Sequence, residues 1–318
     1  MKLNQVINLK NWHQRNIDNV GYGTRDKIVL KRSKKGRVYF LAKTYDKDIG
    51  ELRSEVCASN MGRLFGFPVQ KTWLCKIPQY KSLKLRHPAG VLIQLDVRRQ
   101  EDLLHGAEII SLVDKKFASL NLKEKRRVYT LRVVVDSIRN YVSNHPNSNK
   151  LWDQFFELLV FDALIGGTDR HYYNWGVLAK ADTGEFIRLA PAFDNGISLM
   201  WKIEEYRPQF MNDLFMRDFP RGAESMFKKV NGGKYSLLEV LGELYRIGDY
   251  KKSNIVQEIL DRIEKVKESK IRSVLLNNIP KRAQFKTKND ELSLICEYVK
   301  VRLDLLKQTL RELNQINI

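Results

Sequence analysis

Cysteine is nearly absent from this chain. Cys57, Cys75 and Cys296 are odd in number and widely spaced, and none belongs to a Cys-x-x-Cys pair, so neither a disulfide framework nor a zinc ribbon is expected. Long apolar runs are missing too. No stretch approaches the roughly 18 uninterrupted residues of a membrane span, and the first 20 residues lack an apolar core followed by a small-residue cleavage site. The expectation is a soluble, cytoplasmic protein. Histidine is scarce, with 5 in the chain and no two at ligand spacing, which argues against a histidine-based metal site. Acidic residues are also in deficit. Lys and Arg number 56 against 37 Asp and Glu, a formal net charge of +19 that attracts polyanions nonspecifically at low salt. The charge is spread along the chain, without finger spacing or an RNP-like aromatic motif, so nucleic-acid recognition is not singled out.

What is present is the composition of a folded chain: 43% hydrophobic and 29% charged, with 318 residues giving room for two lobes. The segment 27–45 reads as a hairpin with its turn at Lys34–Gly36, and 49–67 as a helix stopped at Gly66 with Pro68 beyond. Two further strands follow at 69–77 and 89–97. The remainder is mostly helical. Val128, Leu131, Val135, Ile138 and Val142 form one expected helical stripe, and Leu151 to Ile165 form a second helix. Leu292, Ile295, Val299, Leu303, Leu306, Leu310 and Leu313 mark a long amphipathic helix near the end. Trp152, Phe155, Phe156 and Phe161 read as core. This predicts an α+β, two-lobed architecture: a small antiparallel β N-lobe with one helix over 1–97, then a larger, mostly helical C-lobe over 98–318.

Chemistry concentrates where the second helix breaks. The run "FDALIGGTDRHYYNWGVL" presents Asp169, His171 and Asn174, and "LAPAFDNG" supplies Asp194 after a short hairpin-like segment. Phosphoryl transfer needs a carboxylate that orients an acceptor hydroxyl, plus an amide and a second carboxylate as hard oxygen ligands for Mg²⁺. Upstream, Lys43 closes a strand, and Glu51 and Glu55 lie one turn apart on the next helix, the order of a strand lysine held by a helix glutamate. "GYGTRDK" offers Gly21 and Gly23 ahead of the first strand of the hairpin. His171 reads as a group that orients the loop by hydrogen bonding.

These motifs together resemble the HipA-like kinase family, itself similar to phosphatidylinositol kinases in active-site layout, from about Gly21 to Leu199. The resemblance implies a two-lobed protein-kinase-like fold and an ATP- and Mg²⁺-dependent kinase acting on Ser or Thr hydroxyls of a protein. Carried over, Asp169 is the catalytic base, Asn174 and Asp194 are metal ligands, Lys43 binds phosphate and Glu55 is its partner. Gly21, Gly23, Thr24 and Lys27 match the phosphate loop, and Gln94, Leu95 and Asp96 fall at the inter-lobe hinge facing adenine. No serine stands just before "GTRDK", where several family members autophosphorylate, and the extra N-terminal subdomain of full-length HipA toxins is not expected. Compact members of the family include secreted bacterial effectors, so secretion into a host is a second expectation for location. Two other functions fit parts of the pattern: a phosphatidylinositol kinase, which the positive charge would suit, and a nucleic-acid-binding or adaptor pseudokinase. The last predicts loss of Lys43, Asp169, Asn174 or Asp194, and all four are present.

Overall fold

The computed structural model describes residues 5–15, 27–44, 49–78, 89–98, 100–143, 148–210, 212–229, 232–248, 250, 254–277 and 289–316. The first part of the chain forms β1 (Ile7–Asn8), β2 (His13–Arg15), β3 (Lys27–Lys31), β4 (Phe40–Thr44), α1 (Ile49–Leu64), β5 (Thr72–Lys76) and β6 (Ala89–Gln94). Its strands make one sheet in the order β1-β5-β6-β4-β3-β2, antiparallel except for the β1–β5 pair. The expected hairpin is β3–β4. It turns at Ser33–Gly36, where the Gly36 amide donates to the Ser33 carbonyl (3.0 Å), and its second strand begins only at Phe40.

Alternation along β4 decides what the sheet offers to each side. Phe40 and Ala42 pack with Trp73, Cys75 and Leu92 on one face. Leu41 points to the other, among Leu52 and Val56 of α1, and Lys43 shares that side. The ladder also sets Lys27 of β3 directly opposite Lys43 of β4. Helix α1 is stopped by Gly66 at a left-handed φ of 74°, as its sequence predicts.

A second sheet orders β7 (Glu101–His105), β8 (Gly176–Lys180) and β9 (Phe186–Leu189) as β7-β8-β9. Between β7 and β8 come α2 (Gly106–Val113), α3 (Lys115–Ser119), α4 (Leu122–Val128), α5 (Leu131–Val142) and α6 (Ser148–Ile165). The single stripe expected from Val128 to Val142 is in fact two helices. Thr130 caps α5 by accepting from the Val133 amide (3.2 Å), and Tyr129 turns inward to meet Trp175, which leaves Val128 40% exposed. After β9 follow α7 (Ile203–Phe210), α8 (Asp213–Asp218) and a two-stranded ribbon of β10 (Glu224–Lys228) and β11 (Lys234–Ser236). The chain then adds α9 (Leu237–Ile247), α10 (Ile255–Glu264), α11 (Glu268–Asn277) and α12 (Asn289–Gln315). The seven apolar positions read from α12 are all buried.

The large core is built around α6, with Phe155, Phe156 and Phe161 fully enclosed. It also takes in Cys57, Ala58 and Met61 of α1. One side of that helix therefore serves the first sheet and the other packs on α6 and α11. The three cysteines are free thiols, and no described helix is long and apolar enough to cross a membrane.

Candidate active site

Helix α6 ends at Gly166, whose backbone takes a left-handed φ of 65°. A Cβ there would run into the Tyr298 hydroxyl, so conformation and space both demand glycine. The stop frees residues 168–174 to turn back as a loop. Within it the His171 amide donates to the Asp169 carbonyl and the Asn174 amide to the His171 carbonyl, each at 2.8 Å. The Asn174 side-chain nitrogen donates to the Asp169 carbonyl (2.8 Å) and reaches toward the Asp169 carboxylate (3.4 Å). Its nitrogen is thus committed, and Oδ1 is the end left for a cation.

Asp194 lies across from this loop at a φ of 56°, a left-handed conformation that Asp tolerates better than most residues but that costs about 1–3 kcal/mol. The turn directs its carboxylate to Lys43, and the two form an ion pair. Burial alone would lower the Lys43 pKa, but Asp194, then Glu55 and Glu51, outweigh it and hold the ammonium above its ordinary value. Burial likewise acts to raise the Asp194 carboxyl, and Lys43 overrides it, keeping that carboxyl below the usual range. Glu55, buried on α1, thus helps to keep Lys43 charged, and Asp194 contacts Lys43 directly. Lys27 joins them: burial and the neighbouring Lys43 lower its pKa, and Asp194 opposes.

Asp169 differs from Asp194. Burial first, then the Asp194 charge, push its carboxyl up to about 6, against the pull of Arg170, Arg126 and Lys43. His171 is displaced the other way, to about 4, chiefly by burial. Its Nδ1 accepts from the Tyr173 amide (3.1 Å), so the neutral ring carries its proton on Nε2, 3.9 Å from the Asp169 carboxylate. The loop-orienting part read from the sequence fits this geometry.

Arg170 holds the arrangement together, a role the sequence reading did not assign. Its five N–H donors meet five acceptors: Asp162 twice (2.9 and 2.7 Å), the carbonyls of Asn174 (2.6 Å) and Phe193 (2.7 Å), and the Asn195 side chain (2.8 Å). One buried guanidinium therefore fastens α6, the Asp169 loop and the Asp194 loop at once. The signal available was Asp162, an acid inside the apolar end of α6, because a buried carboxylate demands a partner. His105 was also missed. It sits where β7 meets α2, its Nδ1 donating to the Tyr173 carbonyl (2.9 Å) behind the loop.

Of the expected phosphate loop, Gly21, Gly23 and Thr24 lie outside the described residues, while Lys27 is placed beside Lys43. Gln94 to Asp96 do connect the two sheets. However, the Gln94 amide already donates to the Lys71 carbonyl (2.8 Å) and the Leu95 amide to the Tyr39 carbonyl (3.0 Å). The Asp96 carboxylate pairs with Arg188 (3.4 Å), and its side chain lines a cavity with Val69 and Phe161. Base contacts through those two amides would require these bonds to open.

The profile of the HipA-like C-terminal domain matches residues 21–268. Over 146 residues the chain is 27% identical to the serine/threonine-protein kinase CtkA of Helicobacter pylori, a match spanning 46% of this chain and 40% of that relative. The crystal structure of the H. pylori proinflammatory kinase CtkA superposes with a TM-score of 0.71 at 19% identity, covering 98% of this chain and 99% of that one. The HipA of Shewanella oneidensis MR-1, in a toxin–antitoxin complex with HipB and operator DNA, gives 0.55 at 11% identity, covering 97% and 69%.

Proposed function

The chain belongs to the HipA-like C-terminal domain family, and from that premise we propose that it is a kinase transferring the γ-phosphoryl group of ATP, with Mg²⁺, to a Ser or Thr hydroxyl of a protein. The observation that carries this is the gathering of Lys43, Asp194, Asn174 and Asp169: Lys43 pairs with Asp194, Asn174 bonds Asp169, and the Asp194 and Lys43 charges both act on the Asp169 carboxyl. The donor set suits magnesium held together with phosphates, which uses one or two carboxylates and leaves several positions to water and substrate.

In this assignment Asp194 and Asn174 Oδ1 hold the cation. Bound magnesium would neutralise charge building on the phosphates as the group transfers. Lys43 exchanges its Asp194 contact for phosphate oxygens, with Glu55 and Glu51 keeping it charged, and Lys27 adds a second cation. Asp169 accepts the hydrogen bond, then the proton, of the acceptor hydroxyl, a part that its raised carboxyl pKa suits. His171 and Arg170 keep the loop in register.

The test separates binding from transfer. Asp169→Ala should bind ATP·Mg²⁺ with near-normal affinity by calorimetry and lose at least about a hundredfold in phosphate transfer to protein. A folded Asp169→Ala protein that does not bind nucleotide, or one that transfers normally, would remove Asp169 from this role.

A further inference from the structure

Several exposed arginines of this protein stand in ion pairs: Arg132 and Arg139 with Asp136, Arg246 with Glu243, Arg311 with Glu264. The surface of α3 and α4 gathers exposed cations that lack them. Lys115, Lys116, Lys123, Arg126 and Arg127 are all exposed, and among the described residues none of these side chains has an ion-pair partner. The acids in that stretch are used for other purposes: Asp114 caps α3, and Glu124 closes the capping box of α4. Leu122 of α4 is 64% exposed, and Leu112 and Val113 at the end of α2, just before α3, are 64% and 43% exposed. Leu122 and Arg126 are four residues apart on α4 and so lie on one face.

This surface is fixed beside the catalytic loop. Phe117 of α3 and Tyr129, just after α4, both pack edge-on against Tyr172 of the loop, each at 5.5 Å between ring centroids. The Tyr129 hydroxyl donates to the Arg170 carbonyl (3.2 Å) and accepts from the Trp175 indole (2.9 Å). The Arg126 charge accordingly reaches Asp169, His171 and Tyr172, though burial is the largest influence on all three.

We propose that α3 and α4 form the docking surface for the protein substrate, and that they select an acidic segment carrying apolar side chains next to the acceptor hydroxyl, with Arg126 and Leu122 at its centre. The proposal rests on the phosphoryl-transfer function above and names its substrate class. Charge complementarity decides the occupant: unpaired cations beside a catalytic carboxylate offset the repulsion an acidic chain would meet from Asp169 and Asp194.

The experiment compares three serine peptides of equal length, flanked by acidic, neutral or basic residues, on the full chain with ATP·Mg²⁺. The readout is the ratio of kcat/KM between acidic and neutral peptides, so any general change in activity cancels. The wild-type ratio should be about tenfold and fall with added salt. Arg126→Glu should bring it to about one or below, and so should Lys123→Glu combined with Arg127→Glu, which leaves Arg126 in place. A wild-type ratio near one, or a preference that survives both reversals, overturns the proposal. Fluorescence anisotropy of the labelled acidic peptide supplies an arm that needs no turnover. Arg126-dependent binding of that peptide without phosphate transfer to any peptide upholds the docking surface and defeats the kinase function instead. Arg126-dependent binding of phosphatidylserine vesicles without binding of the acidic peptide overturns the proposal in favour of a membrane surface.

Discussion

Asp169 and His171 are two residues apart and titrate in opposite directions from their ordinary values. Because Asp169 must be ionised to accept a proton, activity should be present above its pKa and be lost as pH falls through it. That pKa is about 6 with Asp194 negative beside it, and a bound cation offsets the Asp194 charge and lowers it. The acid limb of kcat/KM should therefore lie at or below about pH 6. His171, at about 4, stays neutral throughout. His171→Gln should keep the position of that limb, and a limb that vanishes in His171→Gln but persists in Asp169→Asn would reverse the assignment. Arg170 makes a different kind of prediction. Asp162→Ala leaves a buried guanidinium with two of its five bonds unmade, so urea unfolding should show a loss of about 3–5 kcal/mol. A loss under about 1 kcal/mol would mean that water or a rearranged loop replaces the carboxylate.

Elements differ in how plainly the sequence announced them. Helix α12 repeats its apolar residues without interruption, and α1 ends at a glycine whose left-handed backbone only glycine adopts cheaply, so both were legible. Asp169, Asn174 and Asp194 were legible because their spacing follows from one loop and one β-hairpin, both local in sequence. The α4–α5 break was not, since Val128 to Val142 keeps helical spacing. What ends α4 is tertiary: Tyr129 reaches Trp175 and Arg170, more than 40 residues away, and the Thr130 cap then starts α5. The part played by Arg170 was hidden for the same reason, its acceptors being spread from Asp162 to Asn195. The loop after α6 rests on a local rule that mutation can test. Gly166→Ala meets both a left-handed backbone and the Tyr298 hydroxyl, so it should lower stability by more than about 1 kcal/mol. An unchanged urea midpoint would show that the helix end can relax without moving the loop.

At the scale of the whole molecule, α1 is the member shared between the first sheet and the large core. Ser54 donates to the Ser198 carbonyl (2.7 Å), tying α1 to the segment just after Asp194, and Ser198 in turn donates to the Asn195 carbonyl (2.7 Å). Arg53 faces Glu291 of α12 at 4.0 Å. The helix that carries Glu51 and Glu55 is thereby held against the segment that follows Asp194, which keeps Lys43 and Asp194 together as a pair. That pair is the centre of the account. Its most direct test is phosphate transfer from ATP·Mg²⁺ to protein by the wild type and by Asp194→Asn, each shown folded by circular dichroism. The account predicts transfer by the wild type and less than about a tenth of that rate for Asp194→Asn, since losing the charged ligand should raise the barrier by more than about 1.4 kcal/mol. An Asp194→Asn protein that keeps more than a tenth of wild-type transfer would contradict it.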